Sequence, residues 1–154
     1  MTLGETLQQK LANAGNRPQR VSVTGAHGAR VEAEVEANDT LSCRLRGLRM
    51  QRSSEHQEPL PQWAQRVARQ ASGLLEPLAV HEIDTQRGEA RLRSQTPSQK
   101  GGEVQYYEAV LQASGQASLQ RYRASYDPHQ RREPVPFTLT HEAVGKIVDD
   151  FLGG

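Results

Sequence analysis

The stretch from Glu103 to Asp127, EVQYYEAVLQASGQASLQRYRASYD, decides how the rest of the chain must fold. Two runs rich in Val, Tyr, Leu and Ala flank Ser114-Gly115, and a Gly beside Ser between such runs is a hairpin-turn signal. An even-numbered loop centred on that pair sets Glu108 opposite Arg121, Val110 opposite Leu119 and Tyr107 opposite Tyr122. Strand side chains alternate, so these residues sort onto two faces. Tyr107, Ala109, Leu111, Tyr122, Ala124 and Tyr126 form the expected core face. Val104, Tyr106, Glu108, Val110, Leu119, Arg121 and Arg123 form a mixed face, whose Glu108–Arg121 pair is of the kind that contributes roughly 0.2–1 kcal/mol.

Upstream, the same alternation recurs. Arg20 to Arg52 reads as a three-stranded meander. Val31, Ala33, Val35 and Ala37 alternate with Glu32, Glu34 and Glu36. Leu41, Cys43 and Leu45 alternate with Ser42, Arg44 and Arg46. A three-residue loop at Asn38 to Thr40 sets Glu34 opposite Arg44 and Val35 opposite Cys43, whereas a two-residue loop would turn one strand inside out. The expectation is an apolar face backed by a Glu/Arg ladder. Leu78 to Asp84 and Glu89 to Ser94 read as a further hairpin turning at Gln86-Arg87-Gly88.

Three segments carry helical periodicity. In Thr2 to Ala14 the leucines recur every fourth residue, Thr2 and Glu5 have capping-box spacing, and Gly15 stands where a terminating glycine belongs. Leu60 to Leu75 places Pro61 in the favoured first turn and Trp63, Val67, Ala71 and Leu74 on one stripe. Phe137 to Leu152 holds the last helix, with Thr140 as cap, Leu139 and Val144 as a staple, and Val144, Ile147, Val148 and Phe151 buried. Gly145 inside it costs roughly 1 kcal/mol against Ala, and a close backbone approach would explain it.

The fold expected is therefore α+β: a mainly antiparallel sheet of about seven strands and three helices, in the order α-βββ-α-ββββ-α, with the helices packed on one face. One domain spanning residues 1–154 is the natural reading of this length.

Composition narrows the function. The net charge of +1 produces no field that would gather nucleic acid or a membrane surface. The single Cys rules out an internal disulfide and a multi-Cys zinc site. No apolar run has the length of a membrane span, and no signal-peptide core precedes the first helix, so a soluble, cytoplasmic protein is expected. The five histidines, His27, His56, His81, His129 and His141, have no zinc-pair spacing. Cys43 alternates with arginines, which places it on the apolar face as a small core residue rather than a nucleophile. Gly25-Ala26-His27-Gly28 matches no phosphate-loop fingerprint and reads as a tight turn. Arg44, Arg46, Arg121, Arg123 and Tyr106 on one sheet face suggest single-strand binding, but Glu32, Glu34 and Glu108 neutralise that face and no RNA-binding motif is present. No catalytic residue, cofactor or metal is expected.

Surface remains. A sheet covered by helices on one side leaves its other side to water or to a partner. The leading expectation is a non-enzymatic protein-interaction module of the chaperone or adaptor kind, a homodimer or a binder of a protein partner. Its interaction face is Val104, Tyr106, Val110, Leu119, Arg121 and Arg123. The order of elements resembles that of the small dimeric secretion chaperones that hold effector proteins; no motif carries the likeness and no residue is transferred from it. The alternative is a small-molecule-binding protein or enzyme with a pocket between hairpin 103–127 and the helices, lined by Trp63, His81, Tyr107, Tyr122 and Tyr126.

Overall fold

The Glu5 amide donates to Thr2 Oγ1 at 3.1 Å and the Thr2 amide to Glu5 Oε1 at 3.4 Å, closing the capping box that opens α1 (Leu3–Asn13). The computed structural model describes residues 1–71, 73–74 and 76–153. Leu7 and Leu11 are buried as the four-residue repeat requires. The helix ends on Ala14 in extended conformation, and Gly15 is not among the left-handed glycines, so the terminating role expected of it is not used.

The first meander is β1 (Gln19–Thr24), β2 (Arg30–Asn38) and β3 (Ser42–Gln51). Its apolar face, with Val31, Ala33, Val35, Cys43 and Leu45, is buried as expected. Its register is not the expected one. Val35 lies opposite Leu45 and Glu34 opposite Gly47, with irregularities on either side of Val35. The burial phase of β3 slips at Arg46-Gly47, so Leu48 and Met50 point inward after Cys43 and Leu45. A bulge of this kind adds a residue that no alternation pattern reveals. The charge ladder survives with other partners: Arg20 of β1 pairs with Glu32 and Glu34, and Glu36 stands near Arg44 and Arg46. Leu41, expected on the apolar face, is 76% exposed in the loop.

α2 (Leu60–Gln70) buries Trp63 and Val67, and the Trp63 indole N–H donates to the Phe151 carbonyl at 2.8 Å. The helix stops before the expected end; Leu75 lies outside the described residues. β4 (Leu78–Asp84) and β5 (Glu89–Ser94) occupy the spans read from the sequence, and a short β6 (Ser98–Lys100) follows within the Pro/Ser/Gly segment.

The long hairpin is β7 (Glu103–Gln112) and β8 (Gln116–Ser125). Its loop, 113–115, holds three residues, with Gly115 at φ 98°. The odd loop shifts the register by one. Tyr106 faces Tyr122, Tyr107 faces Arg121, Glu108 faces Gln120 and Ala109 faces Leu119. Tyr107, Ala109, Leu111, Ala117, Leu119 and Arg121 are all buried on the helix side. The expected Glu108–Arg121 pair does not form; the two side chains lie on opposite faces of the sheet.

Phe137 to Thr140, expected to begin the last helix, is instead a strand. β9 (Glu133–Val135) pairs with β8, β10 (Phe137–Thr140) pairs with β3, and α3 (His141–Leu152) follows, capped by Thr140. β3 and β8 pair only over Leu48–Gln51 and Gln116–Leu119. Beyond Leu48 they diverge, and 133–140 fills the gap between them.

All the long strands belong to one antiparallel sheet in the order β1-β2-β3-β8-β7-β5-β4. The three helices bury their apolar stripes against one side of it, and Val144, Ile147, Val148 and Phe151 are fully buried. Among the described residues no helix is long and apolar enough to cross a membrane.

Candidate interaction face

The side of the sheet away from the helices is a grid set by cross-strand pairing. One row runs Glu32, Arg49, Ser118, Val110, Arg91. A second runs Gln120, Glu108, Arg93, and a third pairs Tyr122 with Tyr106. Of the six residues expected on this face, Val104, Tyr106 and Val110 are on it and half-buried. The shifted register turns Leu119 into the core and places Arg121 and Arg123 on the helix side.

Glu108 is the organising group. It is only 2% exposed although it points away from the helices. Arg93 Nε donates to one carboxylate oxygen at 2.8 Å and Arg132 Nη2 to the other at 2.9 Å, with Arg91 at 3.7 Å. Burial alone would raise the Glu108 carboxyl, but the hydrogen bonds and charges of Arg132 and Arg93 outweigh it and hold the group below its usual range. The arginines also cover the tyrosines. The Arg132 guanidinium lies 3.8 Å above the Tyr122 ring and donates to the Tyr106 hydroxyl, and that of Arg93 lies 5.4 Å from the Tyr106 ring. Arg132 comes from the charged loop between β8 and β9. Nothing local in the sequence says where that loop lands, so sequence reasoning missed it. Arg91-x-Arg93 next to the Glu108 strand was the available signal.

Arg30 and Arg49 differ from these. Both are exposed, and neither has an ion-pair partner among the described residues. They border a hollow of about 310 Å³ that includes Val110, Gln112, Gln116 and Ser118. Glu32 lies in the same hollow, but its carboxylate is held by Arg20 at 3.1 Å.

The other group of expected site residues does not assemble. Trp63 is core beneath α2, and Tyr122 is on the open face. His81 is an exposed bulge residue of β4, skipped between the Val80–Leu92 and Glu82–Arg91 pairs. Tyr126 is 62% exposed beyond the end of β8. Tyr107 alone lines a hollow on the helix side, about 550 Å³, together with Arg121, Phe137, Leu139 and Ala143. Beneath it lies a buried ion pair. Arg121 Nη1 and Nη2 each donate to one oxygen of Glu76 at 3.2 Å, while the Ser94 and Ser98 hydroxyls donate to the same carboxylate at 2.7 and 2.9 Å.

The Cys43 thiol is pushed up to about 11, first by burial and then by Asp39. A thiol so protonated is no nucleophile at neutral pH. Among the described residues no cluster of three or more His, Cys, Asp or Glu is arranged to hold a metal ion. No protein-family model matches the chain, and neither a curated protein nor a solved structure matches it.

Proposed function

We propose that this protein is a non-enzymatic binding module that takes an extended, acidic segment of a partner protein across its open sheet face. The observation that carries this reading is the pair Arg30 and Arg49. Both border one hollow, with no carboxylate in ion-pair reach among the described residues. Arg93 and Arg132 are committed to Glu108 and Arg91 chiefly to Glu89, whereas Arg30 and Arg49 have donors to spare. Half-buried Val110 gives the hollow an apolar patch beside them. A carboxylate on an extended chain would meet the guanidiniums, and an apolar neighbour would meet Val110. Such a contact is charge-assisted at its centre and weakens with salt.

The test uses short labelled peptides in which Glu alternates with Val, against matched peptides with Lys in place of Glu, followed by anisotropy. The acidic peptides should bind, more weakly as salt rises, and Arg30→Glu with Arg49→Glu should abolish binding while the fold is retained. Equal binding of both peptide sets, or binding unaffected by the double reversal, overturns the reading. If the occupant is a second copy of this chain, light scattering over a concentration series reports twice the monomer mass, and the same double reversal returns it to one.

A second reading has one observation in its favour. The hollow on the helix side lies between hairpin 103–127 and the helices, and Tyr107 and Arg121 offer it polar edges among apolar walls. It supports small-molecule binding. A ligand there should stabilise the wild-type protein and not a Phe137→Trp variant that fills the hollow.

A further inference from the structure

Three chain segments converge on a further cavity, of about 360 Å³, beside the open-face hollow. They are the β1–β2 turn, the connection after β3 and the tip of the long hairpin. Its polar lining is His27, Gln51, Arg52, Ser53, Ser54, His56 and Ser114. Arg52 is 8% exposed, and its Nη1 has no hydrogen-bond partner among the described residues. Its one described side-chain partner is the Trp63 ring, 4.1 Å below the guanidinium. A buried guanidinium without an acceptor is expensive, and buried charges are ordinarily paired.

The carboxylates near Arg52 are engaged with other groups. Glu58 is the nearest acid in effect, but it accepts from Arg66 at 3.0 Å, and Arg66 is a second cation in the same region. Glu55 is exposed and lies 3.3 Å from His27 Nε2. Burial, countered by Glu58 and reinforced by Arg66, lowers the Arg52 pKa from its usual range.

The site is also held in place. The Arg52 amide donates to the Gly115 carbonyl at 2.9 Å and the Ser54 amide to the His27 carbonyl at 2.8 Å. A Cβ at Gly115, already at φ 98°, would stand 2.6 Å from Gln51 Nε2 and 3.0 Å from Arg52 Cγ, so the hairpin tip is packed closely against both side chains. His27 is the one non-glycine residue at positive φ among the described residues, at 56°, and it is turned toward this cavity's lining. Strain of this kind clusters where a ligand is clamped.

We propose that this cavity binds a phosphate-type oxyanion, free or as a phosphomonoester, with Arg52 as its anchor. A guanidinium offers two parallel donors to such an anion, and the serine hydroxyls and imidazoles of the lining supply further donors. The volume leaves room for a substituent on the phosphate. The cavity adjoins the open-face hollow at Gln51, which lines both, but its anchor Arg52 is not among the residues proposed to meet the partner there.

Trp63, the only tryptophan, reports on Arg52 directly. Its fluorescence and the melting temperature are followed while inorganic phosphate, and separately glycerol phosphate, is added against sodium chloride of equal ionic strength. A saturable change with phosphate or its ester, absent with chloride, is expected, with a melting temperature raised by about several degrees at saturation. Response to both compounds assigns the site to the phosphate group itself; response to the ester alone assigns it to an esterified ligand. Arg52→Met should lose the response. If that variant fails to fold, Arg52→Lys should bind at least about tenfold more weakly, because lysine lacks the fork. No saturable change in either observable, or undiminished binding by a folded Arg52 variant, overturns the proposal.

Discussion

Gly4 and Gly145 meet backbone to backbone where α1 crosses α3. A Cβ on Gly145 would stand 2.7 Å from the Gly4 carbonyl oxygen, and one on Gly4 would fall inside contact distance of the Gly145 carbonyl. Asp149, one turn beyond Gly145, accepts from the Gly4 amide at 2.9 Å and the Thr2 hydroxyl at 2.6 Å. The close crossing is what brings the carboxylate onto the α1 N-terminus, where an anion is favoured.

Gly145→Ala therefore acts against its helix propensity. Propensity alone would add roughly 1 kcal/mol of stability. The clash with backbone that cannot rotate away should instead destabilise by about 1–3 kcal/mol. Urea unfolding measures the sign, and a stabilised variant would mean the helices separate freely.

The Glu76–Arg121 pair should be costly to break and cheap to replace. Arg121→Met alone strands a carboxylate at 5% exposure, for a loss of about 3–5 kcal/mol. Glu76→Leu with Arg121→Met should recover most of that loss. A double-mutant cycle read by denaturant midpoint decides it; additive losses would show that the serines and Gln105, not the ion pair, carry the energy.

Glu108 predicts an acid-sensitive fold. Its folded-state carboxyl binds protons less tightly than the unfolded one, whose value is about 4.3. The stabilisation is thus complete above the unfolded value and is lost as pH falls through the lower folded value. Glu108→Gln should cost about 1.5–3 kcal/mol at neutral pH, the worth of hydrogen bonds to a charged group, and should flatten stability below pH ~4. Parallel acid unfolding of wild type and variant is the measurement; identical acid slopes would remove Glu108 from the account.

Cys43 should resist thiol reagents in the folded protein. It is 2% exposed and its thiol sits near 11. Reaction with a chromogenic disulfide should track global unfolding, and fast labelling under native conditions would mean that β3 opens locally.

What the sequence disclosed, and what it withheld, divides along the range of the interaction. Thr2 with Glu5, Thr140 and the spans of β4 and β5 were readable because each is decided within a few residues. Registers were not. An even hairpin loop matches Glu108 with Arg121 and so looks favoured, yet each charge is buried against other partners. Glu108 takes Arg93 and Arg132, and Arg121 takes Glu76. Arg121 stands among Ala117 and Leu119 on the core side, and no polarity pattern assigns a guanidinium there. Phe137 to Thr140 looked like a helix entrance because Leu139 and Val144 have staple spacing; the gap between β3 and β8 made it a strand. Arg52 and Trp63 are separated by a segment with no periodicity, so their stacking left no trace in the sequence.

The wedge formed by β9 and β10 sets an order on folding. β1 to β3 and β4 to β8 can each zip from their own turns, but the two meanders share only a short stretch of pairing between β3 and β8. The remainder of that seam is completed by 133–140, and α3 then covers it. On a ribosome both meanders would emerge with this seam still open, and each would carry unpaired strand edges until the final segment arrived. The kinetic bottleneck should fall on this late latch, because β10 must reach back from Phe137 to Leu45 of β3 and such distant pairings are slow to close.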